Sequence, residues 1–421
     1  MYSASEGQDP VQREATLFDG FGQRLKACTS GCPGLAEHLS GHTLEAVNDR
    51  AALESLPVLR KSALMAAQQA NPPFGGFVRE EALPGTRIFM SPGPVWEPQI
   101  TGDDPWHGAP ALYAAGIRKG DRVHNAFSYH LTPGGFILDE AAKSLGCVVF
   151  PAGVGNTEAQ VAALRQTQAS AYVGTPDYLQ TLLDHANESG EPLSYVNRAL
   201  VSGGALFPAM RTRYEEQGIS VMQCYATADL GVIAYETATD GQVHPGMVVS
   251  EGLILEILVP GTDTPVAAGE VGEIVVTRLH ADYPLVRFAT GDLSRILAAE
   301  PSPCGRTAIR LAGWMGRADQ RAKVRGMFVD PLQLSRLKQL HPEILRWRLV
   351  ITRAENRDAM ELQVTLDADT AASPAGQEQR DAWAEAASLS LKQVTGLGGV
   401  VSVVESLPDD GVVVDDQRNY E

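Results

Sequence analysis

Between residues 120 and 224 short apolar runs alternate with longer amphipathic stretches, the pattern of strands linked by helices. It predicts strands at 123–127, 147–150, 171–173, 198–201 and 219–224, with helices at 134–145, 176–186 and 208–217. A further helix is expected to start at Thr157-Glu158-Ala159-Gln160. These residues form a capping box in which the Thr hydroxyl and the Gln side chain satisfy free amides, and Val161 and Leu164 continue one face. Such alternation calls for right-handed crossovers and an open, mostly parallel sheet. Ligands of these sheets sit beyond the carboxyl ends of the strands, where the loops at Ser202-Gly203-Gly204 and 225–229 fall.

Upstream, 14–70 reads as helical, with Leu17, Phe21, Leu25 and later Leu35 and Leu39 at helix-compatible spacing. After 250 the pattern turns antiparallel, with strands at 253–259 and 273–277 joined by a Pro- and Gly-containing stretch. Strands at 285–288 and 293–296 flank a turn, Thr290-Gly291-Asp292. A third region starts near Gly316: a helix at 331–340, a hairpin at 347–352 and 362–366, a helix at 377–394 and a strand at 400–404. In the long helix Trp383, Ala387, Leu391 and Val394 share one face, and Gly396 stops it. The fold class is α/β: a large N-terminal domain (1–316) with parallel βαβ sheets and an antiparallel β subdomain, then a small α+β domain (317–421).

Composition narrows the function classes. At 421 residues the chain exceeds one ordinary core, and 44% apolar with 20% charged residues is the balance of a soluble globular protein. A formal charge of −17 disfavours a nucleic-acid backbone or an anionic membrane as main partner. The polar N-terminus lacks a signal-peptide stretch, and no run reaches the roughly 18 apolar residues of a membrane span. Five cysteines, few and odd in number, suit a reducing cytoplasm. Cys28 and Cys32 lack further ligands at finger spacing and read as ordinary thiols, so no zinc is expected.

Four motifs carry candidate chemistry. Ser202-Gly203-Gly204-Ala205 lets backbone approach a flat ligand, because glycine has no Cβ. Tyr225-Ala226-Thr227-Ala228-Asp229 offers an aromatic face, a hydroxyl and a carboxylate just past a strand. Asp292 could hold both hydroxyls of a ribose, and Gly316-Arg317-Ala318-Asp319 with Arg325 could form a guanidinium-rich hinge. Taken singly, each has a plain alternative: a tight turn, a surface loop, an Asp bonding its own backbone, and a solvated basic turn.

In order and spacing these motifs resemble those of the adenylate-forming superfamily, and most of all the phenylacetate–CoA ligases. Leu56-Pro57-Val58 with Arg60-Lys61, the stretch 129–135, Pro151-Ala152-Gly153, Gly174-Thr175-Pro176 and 285–292 agree, so the likeness spans roughly 15–421. The resemblance implies two steps: ATP and a carboxylate give an acyl-adenylate, and a thiol, usually that of coenzyme A, displaces AMP. It implies a mobile C-terminal domain, Mg²⁺, a small carboxylic acid, aromatic acids included, as substrate, and a homodimer. By the same likeness Gly203, Gly204 and Ala205 border the adenine, Tyr225 stacks on it with Ala226 beside, and Thr227 faces the α-phosphate. Asp229 takes the place of the Mg²⁺-associated glutamate, Asp292 holds the ribose with Arg325 or Arg317 assisting, and Asp319 matches the hinge. Tyr129 and Phe136 are candidates for the acyl pocket, with plain core residues as the alternative.

Three sites depart from the family pattern. The phosphate loop, normally Ser/Thr/Gly-rich with a lysine, reads Met90-Ser91-Pro92-Gly93-Pro94-Val95-Trp96-Glu97 here. Its prolines remove amide donors and Glu97 adds negative charge. Ala228 stands where a hydroxyl residue is usual, and Val412 where the adenylation lysine belongs. Two expectations follow: an acyl-CoA ligase with slow adenylation, or a non-catalytic AMP- or acyl-binding homologue.

Overall fold

The computed structural model describes residues 1–91, 94–298, 302–318, 322–325, 327–329, 331–354, 357–366, 376–408 and 412–418. The chain divides into two compact units, Met1–Met315 and Gly316–Glu421.

In the first unit an eight-stranded sheet runs, edge to edge, through Arg310–Leu311, Met247–Val249, Gly231–Tyr235, Ser220–Thr227, Arg198–Val201, Ala171–Gly174, Arg122–Asn125 and Val148–Pro151. The strands from Val148–Pro151 to Ser220–Thr227 pair parallel, and the other three pair antiparallel. Val123, Ala171, Val173 and Leu200 lie under one core cluster, and Tyr172, Ala199 and Val201 under another, so the central strands are apolar on both faces.

The helix Thr157–Thr167 does form, but the expected capping box does not. Asn156, in the left-handed region at φ 52°, is the N-cap, and no side chain caps the helix. Gln160 is buried and turns to tertiary partners: its Nε2 donates to the carbonyls of Gly153 (2.9 Å) and Gly155 (2.7 Å), and its Oε1 lies 2.8 Å from His124 Nε2. A buried amide must satisfy its own polar atoms first, and here those partners outcompete the helix start.

A four-stranded sheet, ordered Leu59–Arg60, Leu285–Ser294, Gly272–Arg278 and Leu253–Leu258, carries the second part of this unit. The N-terminal helices pack on it, with Phe21, Leu25, Leu35 and Leu64 against Ile254, Val276 and Phe288. Each such fully buried side chain contributes about 1.5–3 kcal/mol. Arg287, wholly buried, ties the layers together: it pairs with Glu256 at 2.8 Å and donates to the carbonyls of Glu54 (2.7 Å) and Leu56.

The predicted turn at Thr290–Asp292 is instead part of one continuous strand, Leu285–Ser294. Along its neighbour the register passes from Glu273↔Leu293 to Val275↔Ala289, so three residues, 290–292, stand opposite the single residue Ile274. This is a bulge, with Gly291 in the left-handed region at φ 76°, and it lifts Asp292 out of the ladder.

The second unit is α+β. Its sheet is ordered Val400–Val403, Arg357–Leu366, Ile344–Ala354 and Val414–Asp416. The helices Pro331–Leu340 and Gly376–Thr395 pack through Leu334, Leu337, Ala387 and Leu391 onto Leu349, Ile351, Leu362 and Val364.

Candidate active site

At the carboxyl end of Arg198–Val201 the loop holding Gly203, Gly204 and Ala205 is accessible, and Gly203 needs its freedom at φ 73°. Ser202 Oγ donates to Cys224 O at 2.8 Å, fastening this loop to the next strand. That strand, Ser220–Thr227, runs further than the sequence predicts, so Tyr225 and Ala226 lie within it rather than in a loop. The Tyr225 hydroxyl donates to Asp292 Oδ2 at 2.8 Å, joining two residues 67 positions apart. The Asp292 amide donates to Thr290 Oγ1 at 3.1 Å, and Thr290 Oγ1 to Ile274 O at 2.9 Å, so the bulge is braced from within. The other carboxylate oxygen, Oδ1, accepts from Trp314 Nε1 at 2.9 Å.

Past Tyr225 the strand ends in a tight turn. Thr227 Oγ1 accepts from the Leu230 amide at 3.2 Å. Gly231 closes the turn at φ 80°, where a Cβ would lie 2.5 Å from Trp106 O. The turn drives Asp229 inward to 1% exposure, with Lys61 Nζ 2.8 Å from its Oδ2.

The segment that the sequence suggests as the phosphate loop forms a hairpin, Ile88–Ser91 and Val95–Pro98. Ser91 belongs to it, while Pro92 and Gly93 fall outside the described residues. Alternation turns Phe89, Ser91, Val95 and Glu97 inward and leaves Ile88 and Trp96 outside. Gln68 pins the hairpin through both polar atoms of its amide, Nε2 to Trp96 O at 2.8 Å and Oε1 from Trp96 N at 2.9 Å. Glu97 therefore does not face a ligand as a repelling charge; it is buried against Asp229, and Ser91 Oγ donates to its Oε1 at 3.1 Å.

Apart from the Lys61 amine beside Asp229 Oδ2, Glu97 Oε2 and both Asp229 oxygens are buried without a well-aligned hydrogen-bond partner. Two facing carboxylates resolve this when one of them is protonated and donates to the other. Burial first, then the charge and hydrogen bond of Asp229, hold the Glu97 carboxyl well above the usual range, against the lowering pull of Lys61 and Ser91. Arg278, itself lowered to about 10 by burial, adds positive charge within electrostatic reach of both acids and donates to Leu230 O at 3.2 Å.

A folded-state Glu97 that keeps its proton where an unfolded glutamate has lost it makes the fold less stable as pH rises above the ordinary glutamate value. Glu97→Gln retains a donor toward Asp229 and removes this titration. Urea unfolding between about pH 5 and 8 should then show a flatter stability profile for the variant, by more than about 1 kcal/mol over that window.

Nearby, four aromatic rings form a chain. Tyr129 meets Phe136 edge-on at 5.0 Å between centroids, Phe136 lies 5.3 Å from Phe89, and Phe89 lies 6.2 Å from Trp106. The Arg87 guanidinium sits 4.6 Å over Phe136, and the Tyr129 hydroxyl donates to Asp139 Oδ2 at 2.9 Å.

Comparison with known proteins places this geometry. A family model described as AMP-binding enzyme matches residues 141–280. The phenylacetate–coenzyme A ligase of Thermus thermophilus is 30% identical over 307 residues, 69% of this chain and 68% of that one. The chain belongs to the phenylacetate–CoA ligase family of adenylate-forming enzymes. The Pseudomonas putida phenylacetate–coenzyme A ligase is likewise 30% identical, over 71% of this chain and 70% of its own. In fold the chain is similar to a crystal structure of 2-hydroxyisobutyryl-CoA ligase in complex with 2-HIB-AMP and CoA. The TM-score is 0.81 at 24% identity, covering 98% and 91% of the two chains.

Against the family's motif order, the structure brings Tyr225 and Asp292 together and keeps the Gly203–Gly204 loop beside them in the sheet. Arg317 and Arg325 belong to the second unit. Arg325 is exposed, with its amide 3.3 Å from Asp358 Oδ2 and Nε donating to Asp358 O at 3.0 Å. Asp319 lies outside the described residues, and Val412, just before Val414–Asp416, is exposed. As a Mg²⁺ ligand Asp229 does not fit. Its carboxylate is enclosed and its charge is already met by Lys61. Sequence reasoning assigned no role to Lys61, Arg278 or Trp314. The alternation of the hairpin was the available signal for Glu97.

Proposed function

We propose that this protein is an acyl- or aryl-CoA ligase that works through an acyl-adenylate, with thioester formation retained and adenylation slowed. The observation that carries the reading is the 2.8 Å contact between Tyr225 and Asp292 across the strand ends, beside the glycine loop. It supports an adenosine site in which Gly203 to Ala205 admit the flat base, Tyr225 flanks it and Asp292 accepts from the ribose hydroxyls. Thr227 and its neighbouring amides are the donors for the α-phosphate.

In the first step the acid's carboxylate attacks the α-phosphorus of ATP and pyrophosphate leaves. In the second the coenzyme A thiol, losing its proton to solvent, attacks the acyl carbon; the bond to the phosphate oxygen breaks and AMP leaves. The two steps ask different things of the protein. Transfer of the nucleotidyl group needs positive charge on the α-phosphoryl group and the departing pyrophosphate, and the hairpin 88–98 brings none inward, with Val412 adding none. Thioester formation needs the adenylate held and the acyl carbon open to attack. The ring series Tyr129, Phe136, Phe89 and Trp106 supports an aromatic or other apolar acid, because it offers aromatic faces with few polar anchors.

The enclosed Asp229–Lys61–Glu97 cluster favours one second reading, a non-catalytic homologue that binds AMP or an acyl group. Pyrophosphate release with a panel of aryl, short acyl and hydroxy acids separates the two. Slow but acid-dependent release supports the ligase. AMP binding without turnover on any acid, and without thioester from any supplied adenylate, supports the second reading.

A further inference from the structure

We propose that Ser390, His341 and Glu343, all in the second unit, form a separate reactive site: a serine nucleophile with its base and orienting acid, acylated by activated esters. The proposal is independent of the ligase reading and of the adenosine site.

The three side chains come from two stretches of chain. The helix Pro331–Leu340 leads into His341, whose amide donates to Leu337 O at 2.8 Å, and the Ile344 amide donates back to His341 O at 3.1 Å. This turn sets His341 and Glu343 beside the long helix Gly376–Thr395, on which Trp383 and Ser390 stand roughly two turns apart and share a face. Ser390 Oγ lies 2.9 Å from His341 Nε2, and His341 Nδ1 lies 3.4 Å from Glu343 Oε1. The Trp383 indole N–H donates to the same Oε1, and its ring meets His341 edge-on at 5.6 Å between centroids. Ser390 Oγ also reaches Ala386 O at 3.3 Å, the longer of its two contacts.

These contacts place the protons. An indole N–H can only donate, so Glu343 meets Trp383 as an acceptor. Burial alone would raise the Glu343 carboxyl, but the indole, its own backbone amide and His341 hold it below the usual range. The ionised carboxylate keeps the imidazole proton on Nδ1 and leaves Nε2 to accept from the Ser390 hydroxyl. Nucleophile, base and orienting acid in this order are recognised by geometry, whatever the fold. Ser390 and His341 are half-buried, so neither is sealed in the core.

The helix narrows the acyl donor. Amides around Ser390 are committed to carbonyls four residues back, so the helix offers no pair of free donors to an oxyanion. The donor must bring a leaving group that departs without a proton, as an electron-poor phenyl ester does. Ser390 Oγ attacks the acyl carbon and its proton passes to His341 Nε2. The bond to the phenolic oxygen breaks and the phenolate leaves; the imidazolium then gives its proton to solvent, and Ser390 remains acylated.

The test exposes the full chain to p-nitrophenyl acetate, followed as nitrophenolate release and as acetyl located residue by residue with mass spectrometry. Wild type should carry acetyl on Ser390, formed about 10²-fold faster than in His341→Gln, the worth of one positioned base. Glu343→Gln should also slow the reaction, and Glu343→Asp, which keeps the charge, should recover part of the rate. Free imidazole should restore acetylation of Ser390 in His341→Ala, a rescue that a lost packing contact would not give. Wild type that carries acetyl on lysines but none on Ser390 overturns the proposal, and this result needs no variant to fold. Acetylation of Ser390 as fast in His341→Gln as in wild type overturns it too.

Discussion

Replacing Val412 by lysine should raise acid-dependent pyrophosphate release by roughly 10²-fold, while thioester formation from a supplied adenylate stays within a few-fold of wild type. A preorganised donor aimed at developing charge is worth about 2.7–4 kcal/mol, or roughly 10²–10³ in rate. Valine at 412 supplies none, and no cation of the hairpin compensates: its sequence from Met90 to Pro98 has neither Lys nor Arg. The residue is exposed, so a lysine there meets no packing obstacle. Parallel assays of the two half-reactions check the result, and a rise in both alike would mean that the substitution acts on binding rather than on nucleotidyl transfer.

The second large effect concerns stability. Lys61→Met should destabilise the first unit by about 3 kcal/mol, because it strands a carboxylate that is almost wholly enclosed. Asp229 is 1% exposed, and the Lys61 amine at 2.8 Å is its ion-pair partner. The lysine is also anchored by Phe288, whose ring centroid lies 5.8 Å from Nζ. Asp229→Asn in the same chain should recover most of the loss, since an amide needs no counter-charge. Urea unfolding of the two single variants and the double variant gives the coupling energy directly. Additive losses would show that Lys61 and Asp229 do not act as a pair.

The secondary structure was legible where local pattern and final environment agree. The helix at Pro331–Leu340 and the strand at Arg198–Val201 fall where apolar spacing puts them, since each buries the face its own sequence marks. Other features needed partners far along the chain. Gly291 fits a turn and a bulge equally well, and only pairing with Gly272–Arg278 makes it a bulge. Gln160 has the right type and spacing for a capping box, but its environment is a buried pocket of carbonyls.

The site divides in the same way. Tyr225 and Asp292 were readable as one site from motif order, and the sheet brings them into contact. Glu97 was visible as a charge but not as half of a carboxyl pair. The alternation Phe89, Ser91, Val95, Glu97 gave its direction, while its partner Asp229 lies more than a hundred residues away. Trp314 sits in a stretch without regular structure, and nothing in its neighbours marks it as a ligand of Asp292.

On the proposed function, an adenylate held at Asp292 is converted to a thioester. Single-turnover mixing of the protein with a panel of aryl and short acyl adenylates and coenzyme A tests it most directly, followed as thioester and AMP together. Both products should form in equal amounts from at least one adenylate, with a loss on the order of 10²-fold in Asp292→Ala, which removes the acceptor for two ribose hydroxyls. No thioester from any adenylate, or an Asp292→Ala variant as fast as wild type, would contradict it.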